Sequence, residues 1–424
     1  MTTMDTAARA ESQTTTLRRL ALFYAVWPAL GALMWLVLGD SDPERNRAPI
    51  DFLPVFEFFV ILAALRAGMR GDAVRGMTLV ERAALAVFAA VFLYGAVAAA
   101  PEPVAAVERG AMRLLHVATG VSLCWLLSRA TPLAGQSLTG ALAAQPLVHL
   151  PVLVVLYLLY LDDPTHNWLG GPVGYWHVRA WGMLLAAGLA AAFGLYCQAK
   201  PGTAGHLAWV AILTLLAGPL AFSGTRSRMV GALAGLADGA ALGPGAVRRL
   251  PVLGLAILAG GALSLLPTPP TRHWGLLSSL AESTAADAET RSGGRLSLWS
   301  DTLALIGERP WLGWGHDQFR YARPMPPELE VIHPHSAPLQ FIFDFGVIGG
   351  LALAVLLLSL WLRGLGAARA TPGGGRAGAV MALNTLLAIA LIDGALYNAE
   401  TLLAVAICYA VLLARPLVTA DPSG

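Results

Sequence analysis

LQFIFDFGVIGGLALAVLLLSLWL, residues 339–362, is an apolar run of 24 residues in which Asp344 is the one charged side chain. A helix needs about 20 such residues to cross roughly 30 Å of hydrocarbon, so this stretch is long enough to span a bilayer. Pro338 opens it and Arg363 follows it. Runs of the same kind recur outward in both directions. Toward the C-terminus they lie near 377–395 and 397–415. Toward the N-terminus they lie near 249–266, 227–243, 203–222, 179–198, 143–161, 107–128, 79–99, 50–66 and 17–39. Backbone polar groups in lipid are satisfied only within helices or closed barrels, and a barrel would show short alternating segments instead. The fold class is therefore all-α, a polytopic membrane protein with about 12 transmembrane helices. The run at 227–243 is the weakest of them, being Gly-rich and carrying Asp238.

Composition agrees. Of 424 residues, 56% are hydrophobic and 13% charged, too little charge to clothe a soluble globule of this size. The formal charge is +2 and the arginines are spread over many loops, so a nucleic-acid partner has no support. Cys124, Cys197 and Cys408 lie inside apolar stretches without CxxC spacing, which indicates neither a zinc site nor a disulfide framework. The first 17 or so residues are polar, and no small-residue cleavage site follows the first apolar run, so that run reads as an uncleaved helix.

Arginine sets the expected orientation, because short basic loops stay cytoplasmic. Arg18 and Arg19 precede the first run; Arg66, Arg70 and Arg75 follow the second; Arg248 and Arg249 follow the eighth; Arg363, Arg369 and Arg376 follow the tenth. Twelve spans then leave both termini in the cytoplasm, in agreement with Arg415. The chain divides into helices one to nine (1–266), a loop with amphipathic helices (267–338), and helices ten to twelve with a tail (339–424). The loop at 267–338 falls on the periplasmic side and is the one long hydrophilic stretch, the kind of connection that carries function. Within it, Leu296, Trp299, Leu303 and Ile306 recur at helical spacing, which predicts an amphipathic helix on the membrane face. The preceding 282–294 is polar and Gly-rich.

Candidate chemistry concentrates on that same side. In FSGTRSR, residues 222–228, Arg226 and Arg228 stand at the mouth of a helix, where guanidinium forks and free N–H groups suit an anion; lipid-headgroup anchoring is the plainer alternative. Arg295 follows two glycines that allow a ligand to approach the backbone. HPHSAP, residues 333–338, brings two histidines and Ser336 to the membrane edge, and an imidazole can take a proton near neutral pH. Intramembrane acids are costly and usually paired. Of the few in this chain, Asp393 or Glu400 is placed to orient His335 or to partner an arginine, with helix packing as the alternative. Asp40, Asp42, Asp162 and Asp163 are a weak candidate for a divalent ion; Asp162 and Asp163 precede Pro164 and read better as a turn.

Three blocks, in order, resemble the O-antigen ligase and polymerase superfamily over roughly the second half of the chain. The first is Ser227 and Arg228 at a helix start after a Thr- and Ser-rich turn. The second is Arg295 with Trp299 four positions on, then Pro310, Gly313 and Gly315. The third is His335, Ser336 and Leu339, then Gly346 and Gly349. Ser336 stands where the family usually has Asn. The resemblance favours His335 over His333, because the spacing to Leu339 and the glycines is counted from it.

Such proteins transfer a glycan from a polyprenyl diphosphate to an acceptor hydroxyl at the periplasmic face of the bacterial inner membrane, without nucleotide, cofactor or metal. The resemblance implies His335 as the base and Arg228 and Arg295 as diphosphate ligands, with Ser336 and Trp299 in support; the reading of the residues adds Arg226 to the ligands and Asp393 to the support. Partners would be undecaprenyl-diphosphate-linked O-antigen, a lipid A core acceptor and membrane lipids, with a monomer as the expected unit. Length, span number and the lack of a C-terminal soluble domain fit the ligase best. A polymerase is the nearest alternative, although the loop at 162–178 is modest for one. A polyprenyl-diphosphate transporter is the alternative from another class, but transporter sites lie near the bilayer midplane between related halves, and no internal repeat is found here.

Overall fold

A computed structural model describes residues 3–38, 52–70, 76–163, 168, 177–200, 202–241, 244–267, 274–275, 281, 284, 287–323 and 331–415. Asp40, Asp42, Arg75, most of the loop at 162–178 and part of 282–294 lie outside them, as does the side chain of Asp238. No strand occurs among the described residues.

The longer helices in chain order are α1 (Thr3–Leu38), α2 (Phe52–Arg66), α3 (Leu79–Tyr94, prolonged by a π-turn at Gly95–Ala99) and α4 (Pro103–Leu127). There follow α5 (Pro132–Val148), α6 (Leu150–Tyr160), α7 (Val178–Tyr196), α8 (Ala204–Phe222), α9 (Arg226–Ala241) and α10 (Leu250–Gly261). The last four are α11 (Arg295–Glu308), α12 (Ala337–Ala370), α13 (Arg376–Ala390) and α14 (Ala399–Leu413). Among the described residues, six segments are long and apolar enough to cross a membrane: Leu79–Ala99, Pro103–Leu127, Pro132–Tyr160, α7, α8 and α12; α10, α13 and α14 are shorter apolar helices. The chain is thus an all-helical polytopic membrane protein, and six helices of this kind are what length and composition establish toward the expected twelve.

Several limits differ from the sequence expectation, each for a local reason. The fifth apolar run, expected over 143–161, belongs to a helical stretch that begins at Pro132, because the small and polar residues of LAGQSLTG dilute its hydropathy without breaking the helix. The polar N-terminal residues are helical from Thr3. The last two helices are separated by residues 391–398, whereas the apolar pattern ran almost unbroken through them.

Helix α7 forms the centre and is buried along its whole length. Its alanines and glycines let neighbours come close, which is how helices associate where lipid removes the usual hydrophobic drive. A Cβ on Gly194 would lie 2.3 Å from the Cα of Gly378 in α13. The Gly-rich α9 is explained the same way. Gly231 and Gly235, one turn apart, face α13, and a Cβ on either would meet Ile389 or Thr385 at 2.3 Å or less.

Two ends of the bundle differ in character. At one end, Arg249 donates to the carbonyl of Ala199 (2.8 Å), Gln198 to that of Pro372 (3.1 Å) and Arg376 to that of Ala414 (2.6 Å), so two of the arginine-rich connections and the end of the last helix meet there. Arg363 near this end pairs with buried Glu81 (2.7 Å). The opposite end holds the starts of α7, α9, α11 and α12.

Helix α12 is broken at Gly346, with φ 63° and ψ −176°. The segment Pro310–Gly315 inserts at the break. Trp314 and Gly315 N–H donate to the carbonyls of Phe343 and Asp344 (both 2.9 Å), while Val347 and Ile348 N–H donate to those of Pro310 (2.8 Å) and Trp311 (3.2 Å). Groups orphaned by the break are thereby satisfied. This φ/ψ region is essentially restricted to glycine, and a Cβ at Gly346 would lie 2.2 Å from the Trp311 backbone. Gly346→Ala is therefore expected to destabilise the protein by at least about 1–3 kcal/mol, read as a lower thermal midpoint in detergent; an unchanged midpoint would refute this account of the break.

Candidate active site

Asp393, 2% exposed, sits in the connector between α13 and α14 and gathers residues from three distant parts of the chain. Its Oδ2 accepts from Arg228 Nη1 at 2.9 Å and Arg295 Nη2 at 3.1 Å, and its Oδ1 meets His335 Nδ1 at 3.1 Å. Ser227 Oγ donates to Oδ2 at 3.4 Å and also accepts from Arg228 Nη1 at 2.7 Å. Burial alone would raise the pKa of this carboxyl; Arg228, His335 and Arg295 outweigh that and hold it well below the usual carboxylate range. The site is thus a buried carboxylate braced by two guanidiniums and an imidazole.

Local structure delivers each group. Arg228 lies in the first turn of α9, after the turn in which Ser223 and Thr225 are hydrogen-bonded to each other (2.8 Å). Gly182 of α7 leaves room for Thr225 and Arg228, since a Cβ there would meet Thr225 Oγ1 at 2.9 Å. Arg295 opens α11 behind Gly293 and Gly294, both at positive φ. The inward face of α11 carries Leu298, Thr302 and Ile306, with Trp299 half-buried. Leu296 and Leu303, expected on one stripe with Trp299 and Ile306, lie on another face and are exposed. Trp299 Nε1 donates to the Pro334 carbonyl (3.0 Å) and so fixes the histidine segment from outside.

The two histidines have different roles open to them. His335 takes a left-handed backbone conformation (φ 53°), uncommon for a non-glycine residue, and its N–H donates to His333 Nδ1 at 3.1 Å. A backbone N–H can only donate, so Nδ1 of His333 is an acceptor, and the neutral ring carries its proton on Nε2. His335 is the reverse. Its Nδ1 faces a carboxylate and so carries the proton, which leaves the Nε2 lone pair available as a base. Burial pushes the His335 pKa down, with the Asp393 hydrogen bond acting in the opposite sense. A base must be neutral to accept a proton. Transfer is therefore expected to hold level through neutral pH and to fall about tenfold per unit only below the ordinary imidazole value of about 6.5. A pH–rate profile checks this, and an acid limb centred above 7 would contradict the depressed value.

The arginines carry spare capacity. Arg228 is 3% exposed, and its Nε and Nη2 have no hydrogen-bond partner, nor does Arg295 Nε. Buried donors are almost always satisfied, so these point to an anion with several acceptor oxygens. Arg226 stands partly buried in the same turn, and its charge reaches Arg295, but it is not among the described contacts of Asp393. Ser336 is buried immediately before α12.

Sequence reasoning missed Arg179, whose charge acts on Arg228, Arg295, His333 and His335 from the first turn of α7. The available signal was an arginine at a helix start on the same side, the one used for Arg226 and Arg228. It also missed the layer behind His333. Tyr397 stacks on His333 (4.3 Å between centroids) and donates to Asp317, which pairs with Arg109 (3.5 Å). Of the acids considered, Asp344 instead joins His316 (3.3 Å) and Gln340 (2.7 Å). Glu400 lies in the first turn of α14.

Residues 209–354 match the family model described as O-antigen ligase. This stretch contains Arg228, Arg295 and His335, and supports the superfamily that the motifs resemble, whose members are glycosyltransferase-like ligases and polymerases. No curated protein matches the chain.

Proposed function

On the premise that this membrane protein carries an O-antigen ligase family domain at 209–354, we propose that it transfers a glycan from undecaprenyl diphosphate to a sugar hydroxyl of a lipid A core. The proposed setting is the periplasmic face of a bacterial inner membrane, with both termini cytoplasmic. The observation that carries the reading is the single carboxylate of Asp393 bound to one imidazole and two guanidiniums.

The geometry supplies both halves of the reaction. The acceptor hydroxyl gives its proton to His335 Nε2 as its oxygen bonds to the anomeric carbon of the donor sugar. The bond from that carbon to the diphosphate oxygen breaks, and the polyprenyl diphosphate leaves with the electron pair. Charge growing on that leaving group is met by Arg228 and Arg295, held in place beforehand and away from bulk water. Attack opposite the leaving group inverts the anomeric configuration. The His335–Asp393 bond fixes the imidazole tautomer throughout, as carboxylates do for catalytic histidines generally.

The test is lipopolysaccharide profiling of a ligase-deficient strain expressing the chain, with carrier-linked glycan assayed in parallel. Restored capped lipopolysaccharide is the expected result. Carrier-linked chains that stay at one repeat until the protein is supplied would make it a polymerase. Long carrier-linked glycan with no capping would overturn ligation.

A further inference from the structure

Beside the histidines lies a cleft of about 210 Å³, counting its open mouth, with room at its floor for a hydroxyl-sized group. His333, Ser336, Gln340, Phe341, Asp393 and Tyr397 line it. The arginines do not line it, so the cleft is not the anion site.

Its polar equipment is specific. Gln340 is 7% exposed, and its Nε2 donates to Asp344 Oδ1 at 2.7 Å. A carboxylate only accepts, so the amide is locked with its nitrogen toward Asp344, and Asp344 is itself held by His316 at 3.3 Å. Gln340 Oε1 is left buried with no partner. A buried, unpaired acceptor calls for a donor from a ligand. His333 offers the complement, because its Nδ1 is occupied by the His335 N–H and its Nε2 therefore bears the proton. Among the residues lining the cleft, Gln340 thus holds an unpaired acceptor and His333 a donor, the pairing that a single hydroxyl satisfies, beside the rings of Phe341 and Tyr397.

Resting on the glycosyl-transfer reading, we propose that this cleft is the acceptor subsite, and that it seats a non-reacting hydroxyl or hydroxymethyl of the acceptor sugar. Gln340 Oε1 receives the hydroxyl proton and His333 Nε2 donates to its oxygen. That anchor presents the neighbouring hydroxyl to His335, whose ring centroid is 4.2 Å from that of His333. Gln340 is then a specificity-determining residue, with Asp344 and His316 as positioning residues behind it.

The experiment uses the full chain in detergent or nanodiscs with polyprenyl-diphosphate-linked glycan and core acceptor, and compares wild type with Gln340→Met and Ser336→Ala. Gln340→Met is expected to raise acceptor KM roughly tenfold, the loss of one hydrogen bond to a buried group. Donor KM and acceptor-free release of polyprenyl diphosphate should stay unchanged. A deoxy acceptor lacking the anchoring hydroxyl should lose about the same factor against wild type and little further against Gln340→Met, which separates a lost contact from general damage. Ser336→Ala should raise acceptor KM more weakly. An unchanged acceptor KM, or a rise in donor KM instead, overturns the subsite. If wild type transfers only to growing glycan, the core-acceptor reading falls and the cleft is judged by the same KM split with that acceptor. If wild type transfers to no hydroxyl, both fall.

Discussion

Replacing His335 by alanine is expected to lower glycan transfer about 10²–10⁴-fold, the usual contribution of a positioned general base, while leaving the donor bound. The imidazole is the one group in contact with Asp393 that can take a proton near neutral pH; the guanidiniums beside it stay charged. The proposed diphosphate ligands do not depend on it, because Arg228 and Arg295 reach Asp393 through its other oxygen. Single-turnover transfer with purified protein, together with a direct donor-binding measurement, tests this. Activity near the wild-type level would remove His335 from the mechanism, and weakened donor binding with normal turnover would make it a binding residue.

Asp393→Asn is expected to damage stability and chemistry together. Arg228 is fully desolvated and Arg295 mostly so, and each directs a nitrogen at the carboxylate that would be neutralised. Leaving a buried charge uncompensated typically costs about 3–5 kcal/mol. An asparagine also cannot accept from every side. If its NH₂ turns toward His335, the ring must accept at Nδ1 and carry its proton on Nε2, which abolishes the base. The thermal midpoint should fall clearly, and transfer should fall by at least as much as in His335→Ala. Adding Arg228→Met to Asp393→Asn should recover part of the midpoint, since it removes one stranded charge, without recovering transfer. A single variant as stable as wild type would show that the cluster is better hydrated than its burial implies.

Much of this was legible in the chain. Apolar run length marks helices because a bilayer imposes a fixed thickness, and each expected run coincides with helix in the described residues. Arg228 and Arg295 could be picked out because a helix start and a glycine pair are local features. The choice of His335 over His333 comes from the family resemblance, whose spacing to Leu339 and the glycines is counted from it. The hydropathy pattern misjudged what is apolar but not helical: residues 391–395, with Asp393, and 397–398, with Tyr397, read as ends of the last two helices and lie instead in the connector between them. The glycines of α9 weakened its pattern for the reason that makes the helix pack, since Gly231 and Gly235 serve the face against α13.

The sequence by itself determined the all-helical membrane architecture, the side on which the chemistry collects, and a short set of residue types fit for diphosphate and proton transfer. These are set by composition and by spacing within a turn or two of helix. Tertiary structure alone decided that Asp393, and not Glu400 or Asp344, joins Arg228, Arg295 and His335, and that Gly346 breaks α12 to admit Pro310–Gly315. The Asp393 cluster rests on contacts between residues 58 to 166 positions apart in the chain. Which carboxylate meets which base is fixed by how helices cross, and local periodicity carries no record of a crossing.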